Sequence, residues 1–167
     1  MNLQDILTIY DYNYWANKRI LTASEKVTEK QFLAPANFPF GGLRGTLVHI
    51  LDAEFGWRTF FQTNEWSAPE LKAEDFPTLA SVQARASQEE KEMRAYLATL
   101  RDEDMNSHKV YRNEKGEPRD RILWQCLYHL VNHGTQHRSE AAALLTDYNA
   151  SPGDLDFTVY LIKTQKP

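Results

Sequence analysis

The sequence has little cysteine and no long run of apolar residues. Cys126 is the only cysteine among 167 residues, so the chain cannot form an internal disulfide, which is typical of a reducing compartment. No uninterrupted apolar stretch approaches the ~18 residues of a transmembrane helix, and the N-terminus lacks the charged segment and apolar run of a signal peptide. These absences predict a soluble, cytoplasmic protein that does not cross a membrane.

Positive charge is also scarce. Lysine and arginine number 19 against 23 aspartates and glutamates, which gives a net charge of -4 and an isoelectric point near 5.7. The sequence has no basic tract of the kind that neutralises phosphates, so we do not expect nucleic acid as a partner. It also has no internal repeat and no low-complexity segment, and its length predicts a single domain over residues 1–167.

Helical periodicity is what the sequence has in abundance. Apolar residues recur at helical spacing in four long segments, over about residues 3–26, 43–61, 79–100 and 118–148. Thr78 is the predicted N-cap of the third helix, and the charged run Gln88–Glu92 within that helix is expected at the surface. The fold class is therefore all-α, and a four-helix bundle is the expected architecture.

The connections between these helices contain the remaining predicted elements. Thr28–Gln31 has the pattern of a capping box for one short turn, and Pro35–Gly42 enforces a loop. Residues 108–112 and a polar return after Gly116 predict a small β-hairpin before the fourth helix. Ser151–Asp154 resembles a helix start, so residues 155–163 are expected to form a short C-terminal helix.

The fourth predicted helix contains three of the five histidines, His129, His133 and His137. Their four-residue spacing places them on one face of a helix, because steps of four drift by only ~40°. Apolar residues share that face, so the imidazoles are predicted to point into the bundle interior. The apolar residues are Ile122, Cys126, Leu130, Ala141 and Leu144.

Two histidines one turn apart can contact the same metal ion, and a third ligand from another helix would complete a site. His133 and His137 have this spacing, and His49 lies on the apolar side of the second helix. The alternative is a group of structural core histidines, although each unsatisfied buried polar group costs about 1–3 kcal/mol. The pattern favours a metal site formed by His49, His133 and His137 and leaves the metal-free bundle open.

Two familiar metal patterns do not apply. The zincin motif requires a glutamate after its first histidine, and Gly134 occupies that position between His133 and His137. Di-iron bundles use Glu-x-x-His on paired helices. None of the residues three before a histidine is glutamate; they are Thr46, Met105, Cys126, Leu130 and Gly134.

Four segments together resemble the DinB/YfiT-like superfamily of metal-dependent proteins. Residues 12–21 (YNYWANKRIL) resemble its N-terminal signature, residues 46–54 (TLVHILDAE) its second-helix motif and residues 129–138 (HLVNHGTQHR) its fourth-helix motif. Residues 152–157 resemble the start of the family's terminal helix. The resemblance covers nearly the whole chain.

This resemblance implies a four-helix bundle with down-up-up-down connectivity and a divalent metal ion, zinc or nickel, held by the residues that match His49, His133 and His137. It also implies a homodimer. Some relatives are S-transferases that use a low-molecular-weight thiol, so the expected function is a metal-dependent enzyme acting on a small-molecule substrate. The competing interpretation is a noncatalytic, stress-related bundle that binds metal.

The sequence departs from the family pattern directly after the histidine motif. Where family members often have Gly-Gln, this chain has Ser139 and Glu140. Glu140 lies one turn beyond His137 on the same face, where it is a candidate hydrogen-bond acceptor, general base or additional ligand. Pairing with a surface cation such as Arg19 is the alternative.

Other polar residues near the predicted site have subsidiary roles. His129 lies too far along the helix to share one ion with both other histidines, so we expect it beside the site, in the cavity wall. Asp52, one turn from His49, is a candidate for orienting that ring, although an exposed acid is equally compatible. Cys126 is expected in the core, and His108 at the surface.

Overall fold

A computed structural model describes residues 1–113 and 115–164. The long helices and the hairpin of the sequence prediction are confirmed, and so is the all-α class. None of the helices in the described part is long and apolar enough to cross a membrane. The elements are α1 (Leu3–Ser24), α2 (Glu29–Leu33), α3 (Leu43–Thr63), α4 (Leu79–Leu97), β1 (His108–Arg112), β2 (Pro118–Ile122), α5 (Leu123–Asp147) and α6 (Phe157–Thr164), with 3₁₀ turns at Ala73–Asp75 and Asp102–Asn106.

Local capping sets several of these helix boundaries. The Thr28 hydroxyl accepts from the N–H of Gln31 and the Gln31 side chain accepts from the N–H of Thr28, which confirms the predicted capping box. Thr78 caps α4 in the same reciprocal manner. α3 ends at Asn64, whose φ of 57° is left-handed, a conformation that asparagine adopts more readily than most residues.

Helix α5 lies at the centre of the packing and runs parallel to α1. It packs most extensively against α3 and α1. The Tyr10 hydroxyl donates to the carbonyl of Leu127, and further along both helices the Arg138 guanidinium donates to Asn17. Contacts therefore advance in the same direction along α1 and α5.

Helix α3 runs antiparallel to α5. Trp57, near the end of α3, lies against His129, whereas His49, near its start, lies against His133 and His137. This reversed order brings the start of α3 next to the middle of α5. It is what places the histidines of the two helices together.

Helix α4 runs parallel to α3 and antiparallel to α1, which completes the bundle. Arg94 of α4 pairs with Asp11, whereas the earlier residue Gln83 bonds to the later residue Glu25. The implied down-up-up-down arrangement is thus confirmed, with α1 and α5 pointing one way and α3 and α4 the other. The order along α3 and α4 follows from the pairs Arg58–Glu89 and Phe61–Tyr96.

Two predicted helix starts were wrong. Residues 118–122 pair with residues 108–112, His108 opposite Ile122, so α5 begins only at Leu123. Pro118 is tolerated because it is the first residue of its strand. At the other end, the Ser151 hydroxyl accepts from the N–H of Gly153, whose φ is +70°, so this segment forms a turn and α6 begins at Phe157.

The charged run of α4 was also misjudged at one residue. Glu89 is only 1% exposed, because the Arg58 guanidinium of α3 pairs with it and Arg85 adds a second contact of 2.9 Å. Burying a carboxylate without a partner is prohibitive, and two arginines remove that cost. Glu89 is therefore the exception in a run that was predicted to be mostly solvated, because its partner Arg58 is distant in sequence.

Candidate metal centre

Three histidines from two helices converge in the bundle. His49 on α3 and His133 on α5 place their Nε2 atoms 3.0 Å apart, and His137 on the next turn of α5 completes the group. One ring nitrogen from each of the three lies within 4.8 Å of the other two. Two imidazole nitrogens on one tetrahedral zinc ion are roughly 3.4 Å apart, so this spacing is compatible with a shared ion.

Glu140 orients one of these rings. Its carboxylate lies 2.8 Å from Nδ1 of His137, and both side chains are largely buried. A carboxylate can only accept here, so Nδ1 carries the proton and Nε2 presents its lone pair. The alternative pairing with Arg19 is not made, because that guanidinium donates to the carbonyl of Pro152 at 2.7 Å.

His49 and His133 are held in their neutral form. Burial and, to a smaller extent, the neighbouring imidazoles together lower the pKa of both His49 and His133 to about 4, since each ring disfavours a positive charge beside it. Neutral imidazole is the form that binds a metal, so these two rings can accept a cation at neutral pH without first losing a proton.

An aromatic ring that the sequence reasoning missed covers the cluster. The ring of Phe40 stacks on His49 with centroids 3.5 Å apart and meets His137 edge-on at 5.2 Å, while 38% of the residue stays exposed. The loop lies tightly on α3, because a Cβ at Gly45 would lie 1.9 Å from the carbonyl oxygen of Phe40. Gly42 and Gly45 were the available signal that this loop approaches the helix closely.

The two remaining candidates lie at the edge of the group. His129 is exposed, and its ring centroid is 5.9 Å from that of His133, outside the close set of nitrogens. Asp52 has another partner than the predicted His49: its carboxylate accepts from the N–H of Leu71 at 2.7 Å and thereby ties the 64–77 loop to α3. Burial and the nearby Glu70 charge raise the pKa of Asp52, while this hydrogen bond lowers it.

A second polar cluster occupies the opposite face of α5. The Arg138 side chain is fully buried at 1% exposure and donates to the amide oxygens of Asn13 and Asn17, both on α1. It also donates to the Thr135 hydroxyl at 2.8 Å. A Cβ at Gly134 would lie 2.8 Å from Nη1 of Arg138, so this glycine makes room for the guanidinium.

Comparisons with known proteins cover nearly the whole chain. The family model described as "DinB family" matches residues 1–166. The chain is also similar to Protein DinB of Bacillus subtilis (strain 168), with 24% identity over 164 residues that cover 95% of each protein. The match includes both helices that bring the histidines together. This chain belongs to the DinB family.

Proposed function

We propose that His49, His133 and His137 bind one divalent metal ion, zinc or nickel, and that the loaded protein transfers a low-molecular-weight thiol to a small electrophile. The convergence of three imidazole nitrogens within 4.8 Å carries the first half of this proposal. The second half is supported by the family resemblance together with the chemistry of the donor set.

The residues present fit a catalytic metal ion. Three imidazole ligands leave a coordination position for a small molecule, and Glu140 fixes the orientation of His137, as carboxylates do beside metal-binding histidines. Bound in such a site, a divalent ion would supply a positive charge that lowers the pKa of a thiol, so that the thiol is deprotonated at neutral pH.

The protein side of the reaction requires no general base on α5. Gly134 stands where a zincin glutamate would lie, and Glu140 is engaged by His137. A thiol is a suitable nucleophile here because its pKa, about 8.5 when free, falls beside a positive charge, so that its proton passes to solvent near neutral pH. Its sulfur then forms a bond to the electrophilic carbon, and the leaving group departs with its bonding electron pair.

Metal content is the first test. We expect elemental analysis of untagged protein to give one divalent ion per chain, and His49→Ala, His133→Ala and His137→Ala each to lose stoichiometric binding. His129→Ala is the matched control on the same helix face and should retain most of the metal. Full metal content in His49→Ala would overturn the three-histidine site.

Turnover is the second test. A screen of small thiols with a panel of electrophiles should give metal-dependent product with the loaded protein and none with His133→Ala. If the protein binds metal but supports no turnover with any pair, the noncatalytic alternative, a stress-related metal-binding bundle, replaces the enzyme.

The homodimer stays a prediction of the family resemblance. Tyr10, Tyr12 and Tyr14 of α1 are all buried within the chain, so these aromatic residues offer no support for an interface. Light scattering over a range of concentrations tests it directly, and a concentration-independent monomer would contradict it. A cytoplasmic location likewise stays a prediction.

A further inference from the structure

A cavity lies between His129 and the hairpin. It has a volume of about 300 Å³ and lies between the end of α3, the two strands and the first turns of α5. No acidic residue lines it within the described part of the chain, and every lining residue offers a donor, an aromatic face or a thiol. The lining residues are Trp57, Tyr111, Arg121, Gln125, Cys126 and His129.

Positive charge faces this cavity. Arg121 donates one N–H to the carbonyl of Asp120 at 2.8 Å, and none of the ion pairs between described residues includes it. Burial raises the pKa of the Cys126 thiol, while the charges of Arg121 and Lys109 act in the opposite direction. Lys109 is engaged by the carbonyl of Phe61 at 3.2 Å. Arg121 is therefore the cation with hydrogen bonds to offer to a ligand.

The walls of the cavity are aromatic. The ring of Trp57 meets Tyr111 edge-on at a centroid distance of 5.6 Å and lies at the same distance from His129. Such rings exclude water from the stem of a small ligand, which strengthens a charged hydrogen bond at its end. The cavity thus combines apolar walls with one cationic anchor.

The position of the cavity relates it to the histidine cluster. His129 lines the cavity, and its ring centroid is 5.9 Å from that of His133. Cys126 lies about two turns before His133 on α5, or ~11 Å along the helix axis. A ligand bound at both places would therefore span roughly 6–11 Å.

We propose that this cavity binds the carboxylate end of a small thiol whose sulfur lies at the histidine cluster, with Arg121 as the residue that selects the carboxylate. The inference rests on the proposed metal site and adds the substrate class. Arg121 suits this role because a guanidinium binds a carboxylate through two parallel hydrogen bonds. Trp57 and Tyr111 hold the connecting chain.

The test compares how tightly thiols of different chain length bind to the protein. Cobalt-loaded protein is titrated with ω-mercaptocarboxylic acids from mercaptoacetic to mercaptooctanoic acid, and the sulfur-to-cobalt absorption band reports binding. Mercaptoalcohols of matched length are the neutral controls. We expect acids of intermediate length to bind about tenfold more tightly than the matched alcohols, or about 1.4 kcal/mol. Acids and alcohols that bind equally at every length would overturn the inference while leaving the metal site intact.

Variants test whether Arg121 causes the tighter binding of the acids. Arg121→Gln should remove the advantage of the acids and leave both the cobalt content and the binding of the alcohols unchanged. Arg112→Gln is the matched control, because it removes a charge from the same hairpin at a residue that does not line the cavity. An undiminished preference in Arg121→Gln would overturn the role of this residue.

A metal-free arm separates failure of the cavity from failure of the metal site. The signal is the fluorescence contributed by Trp57, identified as the part that is lost in Trp57→Phe. Hexanoate should quench this fluorescence more strongly than hexanol does. Arg121→Gln should abolish the difference between the two ligands. If cobalt does not bind but hexanoate is still preferred, the proposed function fails and the carboxylate site stands. Equal quenching by hexanoate and hexanol would overturn the site itself.

Discussion

The two polar clusters on opposite faces of α5 differ in burial and in the way they are completed: Arg138 is fully buried, whereas His49 and His133 are half-buried. The Arg138 cluster closes on itself: Asn13, Asn17 and Thr135 accept the hydrogen bonds of the guanidinium within the protein. In the histidine cluster, by contrast, the Nε2 atoms of His49 and His133 have each other as partners. A polar cluster that is saturated internally serves the fold, whereas one whose lone pairs converge is suited to an outside ligand.

The charges of the two clusters follow the same division. Burial lowers the pKa of Arg138 to about 10, which is far enough above neutral for the guanidinium to keep its charge. Burial lowers the pKa of His49 and His133 to about 4, so these rings stay neutral. The first cluster holds a fixed cation that ties α5 to α1, and the second has room for a cation from solution.

The largest expected effect on stability comes from a substitution that disrupts the Arg138 cluster. Arg138→Met leaves the buried amide of Asn13 and the partly buried amide of Asn17 without their donor. At about 1–3 kcal/mol for each unsatisfied group, we expect the free energy of unfolding to fall by about 3–5 kcal/mol. His133→Met, on the other face, should cost about 1 kcal/mol in metal-free protein. Urea denaturation with chelator present measures both. Equal losses would contradict the distinction between the two faces.

The next effect is the stabilisation of the folded protein by metal binding at the histidine cluster. An ion that binds only the folded protein should stabilise it by about 2.7 kcal/mol at a free concentration one hundred times its dissociation constant. The melting temperature of the parent should therefore rise with added zinc and fall with chelator, whereas that of His133→Met should not respond. Identical melting curves for the parent under both conditions would contradict the proposed site.

A smaller effect concerns Glu140. Glu140→Gln keeps an acceptor for Nδ1–H of His137 but removes its negative charge, so we expect metal to remain bound with an affinity lowered by about tenfold. Asp147→Asn, an exposed acid at the end of the same helix, is the control and should leave the affinity unchanged. Competition with a chromophoric chelator measures both. Complete loss of the ion in Glu140→Gln would mean that Glu140 is itself a ligand.

The smallest effect is the pH dependence of metal-free protein. The pKa of His49 and His133 is about 4 when folded against an ordinary 6.5, so the unfolded chain takes up protons first as the pH falls. Stability from these rings is therefore present above pH 6.5 and is lost between 6.5 and 4. We expect the melting temperature to fall by a few degrees over this window.

Glu54 changes the stability with pH in the opposite direction, so its contribution must be subtracted. Burial raises the pKa of this carboxyl to about 7 against an ordinary 4.5, so its contribution to stability is lost as the pH rises through 4.5 to 7. The measurement is accordingly the difference between the parent and the double variant His49→Ala with His133→Ala. A difference that does not change between pH 6.5 and 4 would contradict the neutral histidine cluster.

The sequence by itself determined the secondary-structure elements and the direction in which the histidines of α5 point. Helical periodicity and the caps at Thr28 and Thr78 depend on residues within one turn of each other, so they could be read locally. The inward face of α5 followed from the spacing of His133 and His137 among apolar residues. That His49 completes the group rested on its apolar position together with the family resemblance.

Only the tertiary structure decided which distant groups meet. Pairing across the hairpin delayed the start of α5 to Leu123, and Arg58 drew Glu89 into the interior. The loop before α3 placed Phe40 on His49, and Glu140 bonded to His137 although Arg19 was an equal candidate by sequence. These outcomes depend on contacts between residues far apart in the chain, whose free energy is set by packing and desolvation in the folded state and is not encoded in any local pattern.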